Sequence, residues 1–107
     1  MKNTVINTTA SKVEVTKALL SNKSMKDYID KELTIIGVIC IYDDEKEQKI
    51  TMLKTEEYGY IATLSEKTFD DVAPSFVELL DELESFKVVP EMIQTKNGRD
   101  FITYNIL

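Results

Sequence analysis

The sequence predicts one small domain that is mainly β, with five strands and a single helix between the third and the fourth strand. Three observations predict this arrangement: a ten-residue, largely β-branched run at 33–42, turn signals between the later strands, and one amphipathic stretch at 72–83. The chain of 107 residues is long enough for one domain of this kind and too short for two.

An N-terminal segment precedes this domain and predicts a short helix. Residues 1–10 are polar and rich in Thr and Asn, so we expect a loose arm. Ser11 and Glu14 have the spacing of a capping box, which is typical of a helix start. We therefore divide the chain into an arm with a short helix over residues 1–23 and one domain over residues 24–107.

The first three strands of the domain are predicted from β-branched runs. Residues 33–42 are nearly free of charge and predict one long strand. Gly37 in its middle permits the sharp bend that the first strand of a small barrel needs, although close packing against a neighbouring backbone is the alternative reading. Residues 49–55 and 60–64 predict the next two strands, joined by a turn in which Gly59 can adopt positive φ.

The second half of the domain predicts a helix followed by a hairpin. Residues 68–71 are typical of a helix start with acidic side chains in the first turn, and residues 72–83 continue it with one apolar side. Residues 86–95 and 100–107 predict two strands around the Asn-Gly turn at 96–99. This order of strands and helix is that of the OB-fold, a five-stranded Greek-key barrel.

Composition argues against an enzyme and against a bound metal or cofactor. The sequence has no histidine, which removes the commonest general base and the commonest metal ligand. Cys40 is the single cysteine and lies in an apolar strand, where it is typical of a small buried residue. The acidic run at 43–47 lacks the spacing of a calcium loop. The apolar run at 33–42 is about half the length of a bilayer-spanning helix, so we expect no membrane association.

The net charge of −6 is concentrated on the predicted helix. Six acidic residues and no basic residue lie between Thr68 and Ser85: Asp70, Asp71, Glu78, Asp81, Glu82 and Glu84. Without these six, the 19 acidic residues fall to 13, which equals the number of basic residues. The acidic total therefore does not exclude nucleic-acid binding on another surface of the molecule.

Three stretches of the domain carry a resemblance to a known family. They are MKDYIDKELTIIGV at 25–38, KTEEYGYIATLS at 54–65 and KNGRDFITY at 96–104. In these stretches the chain resembles the small OB-fold single-stranded DNA-binding proteins of phages of Gram-positive bacteria. The resemblance implies sequence-independent binding of single-stranded DNA during phage DNA replication or recombination, in the cytoplasm of the infected host cell. It also implies phage or host replication and recombination proteins as further partners, and we expect a homodimer.

Binding of single strands without sequence preference requires flat aromatic surfaces for the bases and cations for the phosphates. OB-folds usually supply both from strands two and three and from the loops that join strands one to two and four to five. The aromatic residues predicted to stack on bases are Tyr42, Tyr58, Tyr60 and Phe101. The residues predicted to contact phosphates are Lys46, Lys49, Lys54, Lys96 and Arg99.

Each of these residues also has a purely structural interpretation. An aromatic residue in a small barrel usually belongs to the core, which is the stronger expectation for Phe101 and Tyr104, whereas Tyr58 beside Gly59 is expected to be exposed. Loop lysines usually serve solvation only. The competing hypothesis for function is an acidic protein–protein interaction module, or a DNA-mimic inhibitor of a host DNA-binding enzyme. In that hypothesis the carboxylates of residues 68–85 stand in for phosphates.

Overall fold

The computed structural model describes residues 3–8, 10–96, 98 and 100–107, with side chains from Thr8 onward. These residues form a mainly β structure, a half-barrel sheet with two helices. The strands are β1 Asn3–Thr8, β2 Lys23–Ser24, β3 Leu33–Asp43, β4 Gln48–Thr55, β5 Gly59–Thr63, β6 Phe86–Gln94 and β7 Asp100–Ile106. The helices are α1 Lys12–Leu20 and α2 Ala73–Glu82, and a π-helical turn at Thr68–Val72 leads into α2.

Strand β3 is the centre of the sheet. One of its edges pairs with β4 along nearly its whole length, and the sheet runs in the order β2-β5-β4-β3-β6-β7. Its other edge pairs first with β6, over residues 33–35, and then with β1, over residues 39–43. The register with β4 shifts between Ile35 and Gly37, which places a β-bulge at the predicted bend. This bulge lets one strand belong to both halves of the sheet.

The two faces of β3 and β4 bury two separate apolar clusters because successive side chains of a strand point to opposite faces. The inner cluster lies on the face that α2 covers, and its buried residues are Met25, Leu33, Ile35, Val38, Cys40, Leu53, Ile61, Ala73, Phe76, Phe86, Val88 and Ile102. The outer cluster lies on the face that α1 covers, and its buried residues are Val15, Ala18, Ile39, Ile41 and Met52.

The five predicted strands and the predicted helix are present with bounds close to those expected. Ser11 caps α1 as expected, because its Oγ accepts a hydrogen bond from the Glu14 backbone N–H at 3.4 Å. Gly59 has a φ of 76°, as the turn requires. Pro74 stands at the start of α2, directly after the π-helical turn.

The prediction of a loose arm over residues 1–10 is wrong for residues 3–8. They form β1, whose residue Val5 pairs with Ile41 of β3. The physical reason is that β6 covers only the first part of that edge of β3, and the backbone groups beyond it need hydrogen-bond partners. The N-terminal segment supplies these partners.

The sheet leaves a gap between β5 and β7. Strand β5 pairs with β4 and β2, strand β7 pairs with β6, and no ladder joins β5 to β7 among the described residues. A closed five-stranded barrel would have a ladder at this position. The inner-cluster residues next to this gap, Met25, Ile61 and Ile102, are nonetheless buried.

Candidate nucleic-acid interface

A groove of about 1120 Å³ lies along the gap between β5 and β7. Its floor is apolar and comes from the outer face of β4 and β5, through Ile50, Met52 and Ala62. The opposite wall comes from the β6–β7 hairpin and includes Phe101. A groove of this size with an apolar floor can hold a ligand larger than a single small molecule.

An aromatic ring and a lysine meet in the wall of the groove. Lys67 Nζ lies 4.6 Å from the centroid of the half-buried Phe101 ring. This distance is that of a cation–π contact, in which the ammonium is held over the ring face. The pair therefore presents a π surface and a positive charge side by side.

The other charged groups of the groove are two lysines and three carboxylates. Lys23 and Lys26 add two exposed ammonium groups on the far rim, while Glu66 and Asp100 are exposed acidic residues of the lining. The carboxylate of Asp43 is buried and accepts backbone hydrogen bonds from residues 45 and 46 at 3.0 and 3.3 Å. It therefore shapes the loop between β3 and β4.

A second group of polar side chains lies under α1. Glu14 Oε2 accepts a hydrogen bond of 2.6 Å from the Tyr60 hydroxyl and one of 3.0 Å from Lys54 Nζ. The bonds from Tyr60 and Lys54 lower the pKa of Glu14. Burial and the hydrogen bond to Glu14 raise the pKa of Tyr60. Two predicted contact residues, Lys54 and Tyr60, are thus adjacent, and a carboxylate holds both of them.

Lys49 and Tyr42 lie on the opposite face of the sheet from Lys54. They are cross-strand partners of β3 and β4, and Lys49 Nζ bonds the Asp70 carboxylate at 3.0 and 3.2 Å. The hydrogen bond to Asp70 raises the pKa of Lys49. The same ammonium lies 5.7 Å from the Phe69 ring centroid. Lys49 is therefore engaged at the start of the α2 segment, outside the groove.

Tyr58 is half-buried, in contrast to the exposed position that its turn predicts. Its ring centroid lies 4.7 Å from that of Tyr28, and both rings pack against the inner cluster. The structure thus favours a packing role for Tyr58. Tyr104 also packs against the inner cluster, and its ring meets Phe76 edge to face at 5.6 Å.

The remaining predicted residues lie on loops. Lys46, between β3 and β4, and Lys96, between β6 and β7, are both exposed. Arg99 lies outside the described residues. The predicted contact residues therefore do not form one continuous surface: Phe101 lines the groove, Lys54 and Tyr60 lie under α1, and Lys49 points to the other face.

Sequence reasoning missed three lysines that line the groove, Lys23, Lys26 and Lys67. Lys23 and Lys26 reach it because β2 pairs with β5 in parallel, a non-local contact that no local pattern signals. Lys67 lies between β5 and the helix, outside the loops that the OB-fold comparison favours. The capping pattern identifies Glu14 as part of a helix start and gives no signal of its contacts with β4 and β5.

Comparison with protein-family models, with curated protein sequences and with solved structures gives no match. Within the described part of the chain, no three Cys, Asp or Glu side chains come together as a metal site would require. Neither described helix has the length and apolar character needed to cross a bilayer.

Proposed function

We propose that this chain is a sequence-independent single-stranded DNA-binding protein, built on an OB-fold and acting in phage DNA replication or recombination. The observation that carries the proposal is the groove whose wall holds the Phe101 ring beneath Lys67. In OB-folds, oligonucleotides bind at strands two and three and at the adjoining loops. Strands β4 and β5 correspond to these strands in element order, and Ile50 and Ala62 of their outer face line the groove beside α1, which packs on the same face.

The chemistry of the groove fits a single strand. A base can stack on the accessible part of the Phe101 ring, and any base serves because each has a π face. Lys67 is placed to contact the phosphate beside that base, while Lys23 and Lys26 can contact phosphates at the far rim. Because the chain is acidic overall, long-range attraction is weak, and binding depends on these local contacts.

Replacing the Phe101 ring tests the proposal most directly. Phe101→Leu keeps an apolar side chain but removes the π face, so we expect the affinity for labelled oligo-dT to fall by roughly five- to a hundredfold. Fluorescence anisotropy at low and at moderate salt measures this affinity. The affinity of the wild-type chain should fall with salt, since phosphate contacts release counterions.

Phe69→Leu is the matched control because Phe69 is also a ring beneath a lysine, Lys49, but lies outside the groove. We expect this variant to bind oligo-dT as the wild type does. An equal loss in both variants would show that the groove is not the binding site. Parallel titrations with a duplex and an RNA oligomer measure the preference for single-stranded DNA.

The absence of saturable, salt-sensitive binding at micromolar protein would overturn the proposal. The acidic surface formed by Asp70, Asp71, Glu78, Asp81, Glu82 and Glu84 would then be the leading candidate for function, as a surface that binds another protein. All six residues are exposed, as such a surface requires.

A further inference from the structure

Met92 is an apolar side chain that the fold leaves open in the groove. On β6, Phe86, Val88 and Pro90 point to one face and are buried, because side chains two positions apart in a strand share a face. Met92 is the next residue on that face, but it is 37% exposed and lines the groove. The burial of this face therefore ends before Met92, and its side chain is accessible from the groove.

The other sulfur atoms of the described residues lie in buried side chains. Met25 is 1% exposed, Met52 is 0% exposed and Cys40 is 2% exposed. Burial also raises the pKa of the Cys40 thiol to about 11, so the reactive thiolate is scarce at neutral pH. Met1 lies outside the described residues. Within the described part of the chain, Met92 is therefore the sulfur that a dissolved oxidant reaches first.

Peroxides oxidise an accessible methionine in one two-electron step. The thioether sulfur takes one oxygen atom from hydrogen peroxide, the O–O bond breaks, and the second oxygen leaves as water. The product is a sulfoxide, which is polar, and methionine sulfoxide reductases reverse the change. A flexible apolar side chain thus becomes a polar one at the same place.

The side chains that line the groove with Met92 include apolar ones. Ile102 is the cross-strand partner of Met92, and Leu64 is 56% exposed; both line the groove. In the proposed function, the bases of a single strand cover this part of the wall. Binding then has to remove a sulfoxide from water, which costs free energy that a thioether does not cost. Oxidation of Met92 is therefore expected to weaken binding.

We propose that Met92 is an oxidation site of the DNA-binding groove: peroxide converts its thioether to the sulfoxide, which weakens the binding of single-stranded DNA, and bound DNA shields the side chain from the oxidant. The inference rests on the proposed function. It assigns to the groove a reversible response to peroxide that does not use the cysteine.

Peptide mapping by mass spectrometry, after brief treatment with hydrogen peroxide, tests the site itself. We expect Met92 to gain one oxygen before Met25 and Met52 do. Oligo-dT at about ten times its Kd should slow the oxidation of Met92 by about tenfold, since only the free fraction reacts. The control is Phe101→Leu at the same oligo-dT concentration, where weaker binding should leave Met92 largely unprotected.

Fluorescence anisotropy with labelled oligo-dT tests the consequence. We expect peroxide to lower the affinity of the wild type by about tenfold, and methionine sulfoxide reductase to restore it. The matched control is Met92→Leu, which keeps every other sulfur atom; its affinity should be the same before and after peroxide. Met92→Gln, with a polar side chain of similar length, should bind as the oxidised wild type does. Thermal unfolding of each sample verifies that the fold is retained.

The outcomes separate this inference from the proposed function. If the untreated wild type binds oligo-dT with salt sensitivity and oxidation of Met92 leaves its affinity unchanged, the inference is wrong while the proposed function stands. Equal losses in the wild type and in Met92→Leu, or equal oxidation rates with and without oligo-dT, would also overturn it. If the untreated chain does not bind, both fail. A loss that requires Met92 and that the reductase reverses supports the inference.

Discussion

The two faces of the β3–β4 pair differ in what they bury. Among the described residues, the inner cluster contains twelve buried side chains from five strands, α2 and the turn at Met25–Tyr28, whereas the outer cluster contains five, from α1, β3 and β4. Buried apolar area is the main stabilising term in folding, so the inner face holds the domain together. The outer face packs one helix, α1, on the sheet.

The two faces also differ in the kind of contact that accompanies their apolar packing: aromatic at the inner cluster and charged at the outer one. At the inner cluster, Phe76 meets Phe86 edge to face, with ring centroids 4.9 Å apart. At the outer cluster, the polar contact of Glu14 with Lys54 and Tyr60 completes the attachment of α1. Ring packing is insensitive to pH and salt, while an exposed ion pair depends on both. The attachment of α1 should therefore respond to pH and salt, whereas the ring packing of the inner cluster should not.

The largest expected effect is on the inner face. Phe76 is 2% exposed and packs against two other rings, so Phe76→Ala should lower the free energy of unfolding by about 3–5 kcal/mol. Chemical denaturation followed by circular dichroism measures this change. Val13→Ala on the exposed side of α1 is the control and should stay within about 0.5 kcal/mol of the wild type. A similar loss in both variants would contradict the assignment of stability to the inner cluster.

A smaller effect is expected for the outer face. Val15 lies on the side of α1 that faces the sheet and is 8% exposed. Val15→Ala removes two buried carbons, which corresponds to about 1.5 kcal/mol. The loss should be local: amides of α1 should exchange faster with solvent, while the β3 amides keep their protection. Hydrogen exchange measures both. Uniformly faster exchange in β3 and α1 would show that the two faces unfold as one unit.

The sequence predicts the inner face well because the signals that determine it are local. The β-branched run of β3, the glycine in the turn before β5 and the amphipathic pattern of α2 each span few residues. The bend near Gly37 could also be predicted, since a long first strand that bends needs a glycine or a bulge.

The outer face and the groove could be predicted only in part. Glu14 bonds residues that lie 40 and 46 positions away, and a capping motif predicts only the bond to its own helix start. Residues 3–8 carry too weak an apolar pattern to predict β1, which forms because β3 offers a free edge. Tyr58 was expected to be exposed in a turn, but contact with Tyr28 draws its ring against the inner cluster. All of these contacts depend on the tertiary fold.

The smallest expected effect is a pH dependence confined to the outer face. The hydrogen bonds from Tyr60 and Lys54 lower the pKa of Glu14 from its ordinary value of 4.5. A carboxylate with a lowered pKa in the folded state contributes stability that is complete above 4.5 and is lost as the pH falls through the folded-state pKa. The Tm of the wild type should therefore exceed that of Glu14→Gln near neutral pH, and the difference should shrink on acidification.

The control for this effect removes the partners of Glu14 and leaves its carboxylate in place. In a chain that carries both Lys54→Met and Tyr60→Phe, the two groups that lower the pKa of Glu14 most are absent, and Lys17 remains. Adding Glu14→Gln to that chain should then produce a Tm difference that changes much less with falling pH. If the Tm difference between the wild type and Glu14→Gln stays the same at acidic pH, Glu14 holds α1 without its charge. The outer face would then lack the charge-dependent contact that sets it apart from the inner one.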